Sequence, residues 1–133
     1  MLRFLLDTNA LIRRIAEPRK LSREQTRILD DLETHNQAFA ISAITLYELA
    51  VLPTLGVRRI KGGVEPILRA LNNNPLCHIL PITIDIAREI ASMGDGLRDP
   101  ADRAIVATAR IHNLKLLTSD QRIVDSGLIT VIE

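Results

Sequence analysis

The chain has 133 residues, 47% of them hydrophobic, enough for one ordinary core and too few for a second, so residues 1–133 are expected to form a single domain. Its 17 Lys and Arg against 16 Asp and Glu leave a nearly neutral field that argues neither for nor against a nucleic-acid partner. Cys77 is the sole cysteine, which excludes a disulfide framework and a cysteine zinc cluster and fits a reducing, cytoplasmic setting, while Phe4, Phe39 and Tyr47 are too few aromatics for a base-stacking platform.

Arg3–Leu6 reads as a short buried strand. Asp7 and Asn9 break the apolar run before it reaches signal-peptide or membrane length, so no membrane association is expected. Ser22-Arg23-Glu24-Gln25 has the spacing of a capping box, and Ile28, Leu29 and Leu32 then recur on one helical face. A second strand, Ala38–Ile41, leads to Ser42, whose hydroxyl can cap a helix running through Leu52 and ending before Pro53. Cys77–Ile82 reads as a third strand, followed by a Thr83-capped helix Ile84–Met93 that Gly94 and Gly96 terminate. Asp99-Pro100 joins an N-cap to a proline at the first helical position, opening a helix to about His112 with Asn113 as its stop. Leu114–Leu117 and Leu128–Ile132 complete about five strands. This alternation predicts an α/β fold with a mostly parallel sheet covered on both faces, whose ligands bind beyond the carboxyl ends of the strands.

The acidic residues fall at such ends. Asp7 directly follows the first strand, and Lys115-Leu116-Leu117-Thr118-Ser119 runs straight into Asp120. Glu48 sits nearly two turns into the helix after the second strand, among Leu46, Tyr47, Leu49 and Ala50, where a lone solvated glutamate is rarely placed. Asp99 and Asp102, three apart at a helix start, share one face near the positive end of the helix dipole. Each has a plainer reading: Asp7-Thr8-Asn9 as a strand-ending turn, Asp99 as an N-cap, Asp102 as a complement to the dipole, Asp120 before Gln121 and Arg122 as loop punctuation. Gathered at one edge, these carboxylates would repel by roughly several kcal/mol for each close pair, which calls for a cation. Oxygen ligands without cysteine or suitably spaced histidines favour Mg²⁺ or Mn²⁺, and the chemistry such a site serves is phosphodiester hydrolysis.

Four segments, Leu5-Leu6-Asp7-Thr8-Asn9-Ala10-Leu11-Ile12, Ser42-Ala43-Ile44-Thr45-Leu46-Tyr47-Glu48-Leu49, Asp99-Pro100-Ala101-Asp102-Arg103-Ala104-Ile105-Val106-Ala107-Thr108-Ala109 and Leu116-Leu117-Thr118-Ser119-Asp120, resemble in order the acidic motifs of PIN-domain nucleases, with the VapC-type toxins of toxin–antitoxin pairs the nearest likeness. The resemblance spans nearly the whole chain. It implies a three-layer α/β/α sandwich, Mg²⁺- or Mn²⁺-dependent endoribonuclease activity on structured RNA such as tRNA or rRNA, a homodimer, and inhibition by a small antitoxin protein. By position it assigns catalysis and metal binding to Asp7, Glu48, Asp102 and Asp120, with Asp99 as a further metal-side acid and Thr8, Asn9, Ser42 and Thr118 as the polar residues that orient them.

Basic residues gather at Arg13, Arg14, Arg19, Lys20 and Arg23, at Arg58, Arg59 and Lys61, and at Arg98 and Arg103. If the first two groups flank the acidic mouth they would bind phosphates on either side of the scissile bond; Arg103, Arg13 and Arg14 are the individual contacts expected, with solvated surface charge the alternative for each. Leu46, Leu49, Val51, Leu52, Leu55 and Val57 supply apolar surface for the core, a dimer or an antitoxin groove. A catalytically silent PIN-fold module that binds RNA or an antitoxin is the alternative to an enzyme. A phosphoacceptor receiver-like domain lacks its paired acid and later lysine, and a dinucleotide-binding fold lacks Gly-x-Gly-x-x-Gly after the first strand.

Overall fold

The computed structural model describes all 133 residues, Met1–Glu133. Five short strands, β1 (Phe4–Leu6), β2 (Phe39–Ser42), β3 (Cys77–Leu80), β4 (Lys115–Leu117) and β5 (Val131–Ile132), form one sheet in the order β3-β2-β1-β4-β5. Every neighbouring pair is parallel. Parallel neighbours need crossovers, and helices supply them. α1 (Thr8–Ala16) and α2 (Arg23–Thr34) join β1 to β2; α3 (Ala43–Val51) and α4 (Glu65–Asn72) join β2 to β3; α5 (Ile84–Ser92) and α6 (Pro100–Ile111) join β3 to β4; α7 (Gln121–Ser126) leads to β5. No helix is long and apolar enough to cross a membrane.

Successive strand side chains point to opposite faces, and both faces are covered. Leu6, Ile41 and Leu117 pack with Leu11, Ile12, Leu29, Leu32, Leu49 and Ile67 in one apolar layer. Leu5, Ala40 and Leu116 pack with Ile105, Val106, Ala109 and Ile123 in the other. The product is the expected α/β/α sandwich. Leu5, Leu6, Leu116 and Leu117 have no exposed surface, and each such side chain stabilises the fold by about 1.5–3 kcal/mol relative to exposure. That burial holds the central pair β1 and β4, from which the site is built.

Local chemistry fixes the helix ends. The Ser22 hydroxyl accepts from Gln25 N–H at 3.1 Å while the Gln25 side chain accepts from Ser22 N–H at 3.3 Å, which is the reciprocal capping box. The buried Gln25 amide also donates to the Ile132 carbonyl at 2.9 Å, tying α2 to β5. Asn113 stops the α6 segment at φ 55°, a left-handed conformation that asparagine tolerates. The third strand ends at Leu80, two residues before the expected Ile82, since Pro81 has no N–H to continue the ladder. β5 is shorter than Leu128–Ile132 because its partner β4 offers only Leu116 and Leu117 for pairing. Helices α1, α4 and α7 carry no counterpart among the sequence expectations. α1 follows β1 with a single residue between them, so strand and helix signals merge.

The strand order also locates a crevice. From β1 the chain moves to β2 and β3 on one side, then returns past β1 to β4 and β5 on the other. Crossovers leaving β1 and β4 therefore diverge, opening a gap at the carboxyl ends of these strands.

Candidate functional site

Asp7 is the lone junction between β1 and α1. Its Oδ1 accepts from Ala10 N–H at 2.7 Å, capping α1, and its Oδ2 accepts from the Thr118 hydroxyl at 2.5 Å. The carboxylate is thus anchored from the ends of both central strands. Asp7 is 5% exposed. Burial pushes its carboxyl above the ordinary aspartate range against the pull of those two hydrogen bonds; Asp120 adds to the rise and Arg13 opposes it. The group is rigid and short of positive charge.

Glu48 reaches the same crevice from α3. Ser42 caps that helix by accepting from Ile44 N–H at 3.2 Å, which sets where Glu48 stands, although Ser42 itself does not line the cleft. The Thr8 hydroxyl donates to Glu48 Oε1 at 2.5 Å and lies 3.0 Å from the Thr45 hydroxyl, a buried polar chain joining α1 to α3. Half-burial raises the Glu48 carboxyl, the Thr8 bond lowers it, and the charges of Asp99 and Asp7 raise it again.

The other acids come from the opposite layer. Asp99 caps α6 by accepting from Asp102 N–H at 2.9 Å. Asp102, one turn in, is pushed up to about 7 by burial and by the neighbouring charges of Asp99 and Asp120, with Arg122 pulling the other way. Asp120 caps α7 by accepting from Arg122 N–H at 2.9 Å and is held below the ordinary aspartate range chiefly by hydrogen bonding from the Arg122 side chain. Arg122 is the residue that sequence reading missed. Its Nη2 lies 2.7 Å from Asp120 Oδ2 and 3.4 Å from Asp102 Oδ2, so it acts as a built-in counter-cation. No spacing rule points to it, because its partners come together only when β4 and α6 pack.

Asp7, Thr8, Asn9, Glu48, Asp99, Asp102, Asp120, Arg58 and Arg122 line one cleft of about 290 Å³, with Leu52, Val57 and Ile105 as its apolar walls. The five expected acids therefore share one pocket, and none of the three histidines lines it. Asn9 is exposed at its rim. As the side chains stand, no three His, Cys, Asp or Glu residues are grouped tightly enough to hold one ion. Thr118 and Ala10 occupy Asp7, Thr8 occupies Glu48, and Arg122 stands between Asp102 and Asp120. A somewhat roomier hollow lined by Leu11, Leu29, Leu32, Phe39 and Leu76 lies toward the amino ends of β2 and β3, with no comparable gathering of charge.

Two expected phosphate contacts point elsewhere. Arg103 donates to the carbonyls of Leu97 and Ile90, both at 2.6 Å, and to that of Gly94, fastening the segment between α5 and α6. Orphan carbonyls there outcompete solvent for the guanidinium, so Arg103→Ala is expected to cost about 1–3 kcal/mol in a denaturant titration. An unchanged midpoint would show that these bonds contribute nothing. Arg14 pairs with Asp30 at 2.7 Å and Glu33 at 2.8 Å on α2, away from the cleft. Arg13 is near enough to act on Asp7 electrostatically.

These shifts make stability depend on pH. Asp102 binds its proton more tightly folded, at about 7, than at its ordinary 3.8. Its contribution to stability is therefore full below about pH 4 and lost as pH rises through about 7. Asp7 and Glu48, both raised, act in the same direction, whereas the contribution of Asp120, which is lowered, is lost only in acid. In chelator the unfolding temperature is expected to fall between about pH 5 and pH 8, and Asp102→Asn to flatten that slope. A flat profile for the unmodified chain would contradict the burial assigned to these acids.

Known proteins resemble this chain in sequence and fold. A family model described as PIN domain matches residues 4–126. Ribonuclease VapC22 of Mycobacterium tuberculosis is 31% identical over 120 residues, which make up 90% of this chain and 88% of that protein. Among solved structures, VapBC2 from Rickettsia felis bound to a promoter DNA fragment aligns with a TM-score of 0.71 at 19% identity, covering 99% of this chain and 98% of that one. A toxin–antitoxin complex from Klebsiella pneumoniae aligns with a TM-score of 0.63 at 25% identity, covering 97% and 95%. The family match across both central strands and the relative matched over nine-tenths of the sequence agree with the sheet order and the shared acidic cleft: this chain belongs to the PIN-domain family, and the members it resembles are of the VapC type.

Proposed function

We propose that this chain is a Mg²⁺- or Mn²⁺-dependent endoribonuclease and the toxin member of a toxin–antitoxin pair. The observation that carries this reading is the meeting of Asp7, Glu48, Asp102 and Asp120, from four separate segments, in one cleft at the switch point of the sheet. The 31%-identical relative, itself a ribonuclease, supports it.

The donor set fits a hard divalent ion: carboxylates and hydroxyls, with no thiol or imidazole. The raised carboxyls of Asp7, Glu48 and Asp102 mark an unmet demand for positive charge that Arg122 satisfies only on the Asp120 side. Asp7, Glu48, Asp102 and Asp120 would hold the ion, with Asp99 at the edge of the same cleft. When bound, a divalent cation supplies the positive charge needed for in-line attack of water on phosphorus and departure of the 3′ oxygen. The protein's part is positioning. Thr118 and the Ala10 N–H fix Asp7, and Thr8, backed by Thr45, fixes Glu48. With a divalent ion bound, Asp102 would be held as the carboxylate, so binding is expected to release protons near neutral pH.

Tyr47, Leu55 and Val57 are 62%, 70% and 69% exposed on and just after α3, beside the cleft that Val57 helps to line. That apolar edge is offered as the docking surface of an antitoxin or a second copy of the chain; that a similar protein from Klebsiella forms a toxin–antitoxin complex supports a protein partner. A cytoplasmic location fits this reading, with the unpaired Cys77 in keeping with a reducing compartment. The test is incubation of mixed tRNA and rRNA with the purified chain in Mg²⁺ or in excess chelator. Internal cleavage that appears with the ion and vanishes with chelator is expected. Binding without cleavage in either condition would favour the silent RNA-binding module, and neither binding nor cleavage would remove RNA from the account.

A further inference from the structure

An acidic cleft repels the polyanion it is proposed to cut, so attraction has to come from cations beside it. With few aromatics available for stacking, those cations must act on phosphates. The loop between α3 and α4 holds such a group. Arg58 belongs to two hollows at once: it lines the acidic cleft, and with Glu17, Pro53, Arg59, Ile60 and Lys61 it lines a second, open one of about 530 Å³. The two therefore share a wall. Ile60, 9% exposed, anchors the loop in the core, and the Arg58–Glu17 ion pair at 2.6 Å fixes it to the end of α1. Arg59 and Lys61 flank that anchor and are exposed. Gly62 and Gly63, at φ 82° and 78°, turn the chain away immediately afterwards.

Two of these three cations are free to meet a ligand. Arg59 and Lys61 take part in none of the chain's ion pairs, and unlike the other unpaired cations they stand beside an arginine that lines the acidic cleft. Arg58 Nε is buried and has no hydrogen-bond partner. That buried donor, like Arg13 Nε, is left unpaired at a cost to the fold. The single carboxylate of the hollow, Glu17, is already engaged by Arg58 and Lys20. We infer that Arg58, Arg59 and Lys61 form a phosphate-binding wall that seats the RNA backbone next to the acidic cleft. This inference rests on the nuclease reading for its substrate. It adds the place where that substrate is held.

The experiment measures binding of a labelled single-stranded RNA of mixed sequence, in chelator to prevent turnover, across a KCl series. The chain is compared with an Arg59→Ser, Lys61→Ser double variant. Both positions are exposed, so thermal unfolding should coincide for the two proteins. Each lost contact to single-stranded phosphate removes about 0.7 from the slope of log affinity against log salt, so the double variant should show a slope shallower by about 1.4 and weaker binding at low salt. In Mg²⁺ its KM for RNA should rise several-fold. Equal slopes and affinities would overturn the wall while leaving the nuclease reading intact if the unmodified chain cleaves. A shallower slope without cleavage by either protein would keep the wall and remove the nuclease. Failure of the unmodified chain to bind RNA at low salt, or loss of binding to a protein partner alone in the variant, would also overturn the inference.

Discussion

Asp7→Asn is expected to lower Mg²⁺-dependent RNA cleavage by at least roughly a thousandfold while slightly raising the unfolding temperature of the protein in chelator. The two effects share one cause. Asp7 is anchored from both central strands and buried, which makes its charge costly without a cation and useful with one. Asparagine is as good an N-cap as aspartate, so the bond from Ala10 N–H survives. The amide brings no charge, and the Thr118 hydroxyl can turn to accept from it. Removing an unfavourable buried charge should then raise the midpoint by a few degrees. Activity and stability move in opposite directions, as at other functional sites that store unfavourable electrostatics. Cleavage rates and melting curves on the same preparation check this. Undiminished cleavage would refute the role of Asp7, and a large fall in melting temperature would mean that the variant lost activity by losing structure.

The second large effect separates two neighbouring acids. Asp102→Asn is expected to reduce cleavage by at least roughly a hundredfold, and Asp99→Asn by less than about tenfold. Asp99 is committed to capping α6, and asparagine can take over that bond. Asp102 has no capping duty, and its carboxylate meets only Arg122, at 3.4 Å. Burial and the neighbouring charges of Asp99 and Asp120 also push its carboxyl up to about 7, which a further cation would relieve. Metal affinity, measured by titration calorimetry with Mn²⁺, should fall in the same order as activity. The reverse order in both measurements would make Asp99 the residue that faces the ion.

Much of this protein is determined by local rules. Strand and helix alternation, the Ser22 capping box, the Asp99-Pro100 helix start and the Asn113 stop rest on chemistry within a few residues, and the parallel two-faced sheet follows from them. The acids at strand ends are readable in the same way, because a residue that follows a buried strand must emerge at its carboxyl edge. What the sequence leaves open is how much structural work those acids also do. Asp7, Asp99 and Asp120 are all N-caps as well as cleft residues, so the plain reading and the functional one describe the same side chains.

The tertiary structure decided everything that depends on packing between layers. Arg103 follows Asp102 in sequence, but carbonyls in the last turn of α5 and in the segment after it draw it away from the cleft. Arg122, which looks like part of a loop, enters the cleft because α7 begins there and Asp102 arrives from another helix. The raised carboxyls are a consequence of burial, and burial exists only once both apolar layers close over the sheet. Residue order therefore determined which acids reach the edge, while the order β3-β2-β1-β4-β5 determined that they meet, since only a reversal beside β1 leaves a gap for them.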